Sequence, residues 1–439
     1  LRAHPHPQAQ FLWAIFRDLF HYCAHQLAAI ADNARDVDLA IRWGFGWQMG
    51  PFETWQAAGW AEVAGWIAED VAAKKSLAAV PLPAWVSGAK VGAAKGVHAP
   101  GGAYSAAQDA FVPRSALPVY RRQRYPDPVL GERFDRGTTV FETDALRMWH
   151  LDQDVAIVSF RTKQHTIGDD VLDGMLRALD EAERGFAGLV IWQTKEPFSF
   201  GANLATLAPA VQSGRWDTVE AVVARFQQSS LRLRYSLIPT VAAVRGMALG
   251  GSCEFIMHCD RAVAALESYV GLVEAGVGLL PGGGGTKEFA VRAADAVKQG
   301  PTGGQADHFP FLRASFQTIA MATVAKSALE AKALGFLRNA DVVVTHPHEI
   351  LHVAIGQARA MADSGYRPPL PPAGIPVAGR TGIATLEMML VNMREGGFIT
   401  AYDFEVALAI ARVLCGGDVD AGSTVDERWL IELGRAQFM

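Results

Sequence analysis

Gly246-Met247-Ala248-Leu249-Gly250-Gly251-Ser252-Cys253-Glu254 follows the apolar run Thr240–Val244 and leads into residues with helical spacing. A strand that enters a glycine pair and emerges as a helix is a building unit of a layered α/β fold. Glycines at such a junction let the backbone come close to a ligand. The helix start leaves N–H groups unpaired, with the positive end of the helix dipole behind them. That environment suits an oxygen that gains negative charge. Taken alone, the stretch reads first as a tight turn packed against a neighbour.

Two further stretches repeat the pattern. Phe198-Ser199-Phe200-Gly201-Ala202-Asn203-Leu204 follows the strand-like run Leu189–Trp192. Two small-residue turns in one α/β domain can aim two backbone N–H groups at one point, which an oxyanion hole requires. Downstream, Val273-Glu274-Ala275-Gly276 leads through Pro281 to the glycines at 282–285. Glu274 has no charged neighbour, so its carboxylate either finds a partner or has a raised pKa. No GKS or GKT follows the glycines, and no GxGxxG fits, so a phosphate loop is not expected. Glu254 and Glu274 on one dry wall would divide acid and base work. Two unrelated glutamates in separate ion pairs are the alternative.

Outward from this core the pattern changes. Residues 11–31 carry a helical stripe of Leu12, Ile15, Phe16, Leu19, Cys23, Leu27 and Ile30. A second helix ends in the Gly44–Pro51 turn, and Glu53 to Lys75 reads as helix again. Residues 1–77 are therefore expected to form a helical segment. Seven prolines over 78–137 predict a linker. Strand and helix signals alternate over 138–363, and a C-terminal helical extension is expected over 364–439, with Thr400 capping its last long helix.

The 439 residues are 50% hydrophobic and 19% charged, with 40 Lys plus Arg against 45 Asp plus Glu. This excludes a largely disordered chain, and the formal net charge of −5 argues against nucleic acid as the default partner. Cys23, Cys253, Cys259 and Cys415 lack disulfide or metal spacing and read as buried thiols in a reducing compartment. No apolar stretch is long enough to span a membrane. His4 and His6 read as a tail, and His346, His348 and His352 lack a metal motif. His258 reads as packed and hydrogen-bonded. Arg121-Arg122-Gln123-Arg124 reads as a solvated loop, with the phosphates of a ligand or an acidic neighbour as the alternative. The tryptophans over 13–66 read as helix packing.

The stretches FSFGANL (198–204), VAAVRGMALGGSCEFIMHCD (241–260) and VEAGVGLLPGGGGT (273–286) resemble, in this order, the enoyl-CoA hydratase/isomerase (crotonase) superfamily. The resemblance covers roughly 140–363 and implies an α/β fold with a crotonase-like ββα spiral core. It implies an oxyanion hole from the amides of Ala202 and Gly251, and catalytic roles for Glu254 and Glu274. It places Gly282 in a loop that helps hold the catalytic water, and a CoA-binding surface at Lys163, Gln164, His165 and Ala202. Asn203 stands where many members carry Asp, and Ser252 replaces a commoner Gly and is expected to narrow the pocket slightly. The implied reaction is hydration of a trans-2-enoyl-CoA thioester in fatty-acid β-oxidation. A Δ3-Δ2-enoyl-CoA isomerase and a non-catalytic acyl-CoA-binding or assembly module are the alternatives. No metal or redox cofactor is expected, coenzyme A being part of the substrate.

The stretch Ala31–Gly46 with Met49-Gly50-Pro51-Phe52-Glu53 resembles the C-terminal helical domain of 3-hydroxyacyl-CoA dehydrogenases. The pairing is similar to bifunctional fatty-acid oxidation proteins. With Leu1 in place of an initiating methionine, it implies the C-terminal part of such an enzyme, with NAD confined to an absent upstream domain. A cytoplasmic location and a homo-oligomer or thiolase partner are expected on the same ground.

Overall fold

The computed structural model describes residues 1–151, 154–298 and 307–439. The chain divides into two compact units, Leu1–Arg136 and Gly137–Met439.

The first unit begins with helices Pro7–Ile30, Ala34–Phe45, Pro51–Ala57 and Trp60–Ala72. Gly46, at φ 69°, ends the second in a left-handed conformation, and Pro51 opens the third. The expected continuous helix from 53 to 75 is broken at Gly59, whose φ is 98°. Trp55 stacks on Trp60 with ring centroids 4.1 Å apart, and Phe20 packs on Trp55. Trp13, Trp55 and Trp60 are buried, whereas Trp43 and Trp47 are exposed.

The stretch 78–137 differs from a linker. It forms an antiparallel sheet of His98–Ala99, Gly102–Ser105 and Ala110–Val112. Val86, Val91, Val97 and Tyr104 are buried in the same core as Phe52 and Trp55, and Trp85 stacks on Tyr104 at 5.2 Å. Prolines prevent long helices here but do not prevent burial of the apolar residues between them.

The second unit is built on a mixed seven-stranded sheet. Its order is Val342–Val344, Arg261–Ala265, Thr240–Val244, Gly188–Trp192, Val155–Phe160, Leu146–His150 and Thr138–Glu142. The first five are mutually parallel and the last two add antiparallel hairpins. The central strands are buried along their whole length, as strands covered on both faces must be.

Two ββα units recur. Thr240–Val244, Met247–Leu249 and helix Gly251–His258 form one; Arg261–Ala265, Tyr269–Gly271 and helix Gly285–Lys298 form the next. Their short second strands pair in parallel. This is the α/β architecture with successive ββα units expected from the sequence.

The helices after residue 364 are not a separate extension. Phe404, Leu408, Leu414 and Leu430 are buried in the same hydrophobic cluster as Leu146, Val158 and Phe255. Thr400 caps helix Ala401–Leu414 reciprocally with Asp403, but a further helix, Glu427–Phe438, follows. No helix among the described residues is long and apolar enough to cross a membrane.

Candidate active site

The two small-residue turns are bolted together by backbone. Ser199 N–H donates to Met247 O at 3.1 Å, and Leu249 N–H donates to Ser199 O at 3.1 Å. The Ser252 hydroxyl lies 2.8 Å from Ser199 O and 2.9 Å from Leu249 O. Ser252 is thus buried as a cross-link between the turns; it does not narrow a pocket, because its hydroxyl is turned toward these carbonyls.

The amides of Ala202 and Gly251 are both left over by this arrangement. Ile167 N–H donates to Gly201 O, and Asn203 N–H donates to Ile167 O. In such a parallel bridge the N–H of the intervening Ala202 faces the opposite way. Gly250 has φ 59° and ψ −130°, a conformation open to glycine, and it directs Gly251 as the first residue of the helix. Among the described residues neither N–H donates to a protein acceptor. A Cβ on Gly201 would stand 2.6 Å from Gly251 N, so only glycine allows the two turns this approach.

Glu254 lies in the first turn of helix Gly251–His258, not at its start, and is buried. Its Oε1 accepts from Gly285 N–H at 2.8 Å and its Oε2 from Gly283 N–H at 3.0 Å. The four-glycine loop therefore holds a carboxylate rather than a phosphate. Burial raises the Glu254 pKa to about 7, against the pull of those amides and of the Lys287 ammonium.

Glu274 opens the short 3-10 turn Glu274–Val277. Its Oε2 is buried and has no hydrogen-bond partner among the described residues. A Cβ on Gly250 would stand 3.3 Å from Glu274 Oε1, which places this carboxyl against the turn that carries the Gly251 amide. Burial, reinforced by the charge of Glu254, drives the Glu274 pKa well above the ordinary carboxylate value. The structure thus brings together Ala202, Gly251, Glu254 and Glu274. Asn203 precedes helix Leu204–Gln212 without capping it by its side chain.

Gly282 lies in the loop that holds Glu254. Its carbonyl accepts from Gln227 Nε2 at 3.0 Å, and it is the following amides that reach Glu254. Lys163, Gln164 and His165 form one wall of a cleft of about 520 Å³ whose other wall is Thr194–Pro197. His165 Nδ1 lies 2.7 Å from Pro197 O, and burial lowers the pKa of this imidazole. Phe200 N–H donates to Gln164 O at 3.4 Å, tying the cleft to the Ala202 turn. Arg121 and Arg122 lie in the first unit, where neighbouring Arg124 donates to Phe134 O at 2.8 Å.

Sequence reading missed the charged cluster behind Glu254. Lys287 is 1% exposed, and its Nζ lies 2.7 Å from both Glu288 Oε1 and Glu427 Oε1 and 3.0 Å from His258 Nε2. The one available signal was the Lys287-Glu288 pair followed one turn later by Arg292 in a helix otherwise rich in apolar residues.

Residues 151–298 match the sequence model of the Enoyl-CoA hydratase/isomerase family. A Bacillus subtilis (strain 168) protein named "Probable 3-hydroxyacyl-CoA dehydrogenase" is 33% identical over 441 residues, which cover 98% of this chain and 52% of that protein. The "Fatty acid oxidation complex subunit alpha" of Idiomarina loihiensis is 28% identical over 151 residues, covering 34% of this chain and 21% of its own length. The crystal structure of an enoyl-CoA hydratase from Bacillus anthracis matches with 18% identity and a TM-score of 0.40, over 62% of this chain and 90% of that one. The chain spans about half, or less, of the length of these curated relatives.

Proposed function

We propose that this chain, whose residues 151–298 match the enoyl-CoA hydratase/isomerase family, is an enoyl-CoA hydratase that adds water to trans-2-enoyl-CoA thioesters. One observation carries the reading: the Glu254 carboxylate, held by two loop amides, and the Glu274 carboxyl, with one buried unpartnered oxygen, adjoin a pair of unused backbone N–H groups.

Attack of water on the β-carbon moves negative charge onto the thioester oxygen. The N–H groups of Ala202 and Gly251 would receive that charge, each worth about 3 kcal/mol in the transition state. Glu254, titrating near neutrality, would take the proton from water. Glu274, held protonated by burial and by its neighbour, would deliver a proton to the α-carbon. The roles reverse for dehydration. The cleft beside Lys163, Gln164 and His165 is the proposed seat of the coenzyme A moiety, with Ala202 at its inner end.

The Δ3-Δ2 isomerase reading needs a single carboxylate to move one proton. The presence of two carboxyls favours hydration. The match to the dehydrogenase relative runs through both units, which supports reading Leu1–Arg136 as related to the helical domain of 3-hydroxyacyl-CoA dehydrogenases.

Crotonyl-CoA hydration, followed by loss of the enoyl-thioester absorbance, tests the proposal. Glu254→Gln and Glu274→Gln should each lower turnover by about 10²- to 10⁴-fold. Unchanged turnover in either variant would refute its role. Tight acyl-CoA binding without turnover in the wild type would favour a binding module, and conversion of a 3-enoyl-CoA without hydration would favour the isomerase.

A further inference from the structure

We propose that Lys287, suspended between Glu288 and the C-terminal Glu427, is a positioning residue that holds His258 against the backbone of Glu254 and sets the charge felt by that carboxylate. This rests on the reading of Glu254 as the base of a hydration reaction.

The hydrogen-bond inventory is fully determined. The Lys287 ammonium has three protons and three acceptors: His258 Nε2, Glu288 Oε1 and Glu427 Oε1. An ammonium can only donate, so His258 Nε2 must accept. The carbonyl of Glu254 can only accept, so His258 Nδ1, 2.7 Å away, must carry the ring proton. One neutral tautomer of His258 satisfies both contacts. Burial and the adjacent Lys287 agree with it, since both disfavour the imidazolium.

The charges form a set. Arg234 and Arg292 lie 3.1 Å and 3.5 Å from Glu288, and the Tyr235 hydroxyl donates to Glu427. Three cations thus face two carboxylates, and the unit of positive charge left over is complementary to an ionised Glu254. Against Glu254 itself the remaining groups are the Cys253 thiol on its own helix and the Glu274 carboxyl. Glu427 belongs to the helix Glu427–Phe438, so the C-terminal helix reaches the candidate site through the Lys287 ammonium, as it does through Gln227, whose Nε2 donates to both Gly282 O and Ile431 O.

The test uses the full 439-residue chain with Lys287→Met and Glu427→Gln, and reads the acidic limb of the kcat/KM pH profile for crotonyl-CoA. Removing the ammonium should move the limb up by about one unit, and removing the carboxylate charge should move it down by a similar amount. A role confined to packing would not produce shifts of opposite sign. Shifts of the same sign, or none in folded variants, would overturn the proposal. If Lys287→Met fails to fold, Glu427→Gln alone decides it, since a downward shift supports the assignment and an unmoved limb overturns it. The Glu254 carboxyl stretch in difference infrared titration, assigned by its loss in Glu254→Gln, reads the same ionisation without turnover. An inactive wild type whose Glu254 band still shifts oppositely in the two variants would sink the hydratase reading and leave this one standing.

Discussion

Gly201→Ala puts the oxyanion geometry to its sharpest test. Gly201 has φ 77°, and an added Cβ would stand 2.5 Å from Leu249 O and 2.6 Å from Gly251 N. Both obstacles are backbone atoms of the facing turn, so no side chain can swing aside. Restoring ordinary contact separates the turns by roughly 1 Å, and a misplacement of about that size costs roughly 10²-fold in rate. Loss of one oxyanion donor costs about 10²- to 10³-fold. Gly201→Ala should therefore lower kcat for crotonyl-CoA hydration by about 10²- to 10³-fold, with a much smaller change in KM. The strained backbone should also cost about 1–3 kcal/mol of stability. Gly214→Ala is the matched control: its φ is 66° and nothing lies within 4 Å of the added Cβ. It should lose about 1 kcal/mol of stability and keep its turnover. A folded Gly201→Ala variant with kcat within about threefold of wild type would refute the argument that the Ala202 and Gly251 amides stabilise the transition state.

Hydration rate should rise as pH increases through about 7, where Glu254 ionises, and fall at alkaline pH as the raised Glu274 loses its proton; a flat profile across neutrality would exclude this division of labour. Because the folded-state pKa of Glu254 lies above the ordinary carboxylate value, its proton stabilises the fold most at acid pH, and that contribution is lost as pH rises through about 7. Melting scans should accordingly show the Tm of Glu254→Gln improving relative to wild type between about pH 5 and about pH 8. All four thiols are buried, and burial raises the pKa of each, so a thiol-exchange reagent should label the native chain only after denaturant is added. Trp55→Ala should destabilise the first unit by about 3–5 kcal/mol, read from chemical denaturation, because it empties the stack between Phe20 and Trp60.

Much of the second unit was readable because its signals are local. Val155–Phe160, Gly188–Trp192 and Thr240–Val244 are short β-branched runs, and each lies in the sheet where its neighbours in sequence require. The glycine turns at 201 and 250 are legible because a left-handed backbone is costly for other residues. Thr400 with Asp403 is a capping pattern complete within four residues. The region 78–137 misled because proline content reports on helix and says little about burial. Its strands are two to four residues long, too short to show alternation, and Trp85 and Tyr104 join the core through contacts that spacing does not encode.

The residues of the candidate site, Glu254 and Glu274 with Ala202 and Gly251, are picked out of the chain by a family resemblance carried on glycine turns, each of which taken alone reads first as packing. Where their charges settle is not legible in the chain. Whether Glu254 meets the Gly283 and Gly285 amides, and whether Glu274 Oε2 is left unpartnered, depends on how separate loops pack. The pairing of Lys287 with Glu427 spans 140 positions along the backbone. Nothing in the neighbourhood of either residue specifies it; burial of a shared hydrophobic core draws the C-terminal helix against helix Gly285–Lys298, and only then does an ammonium acquire the carboxylate that balances it.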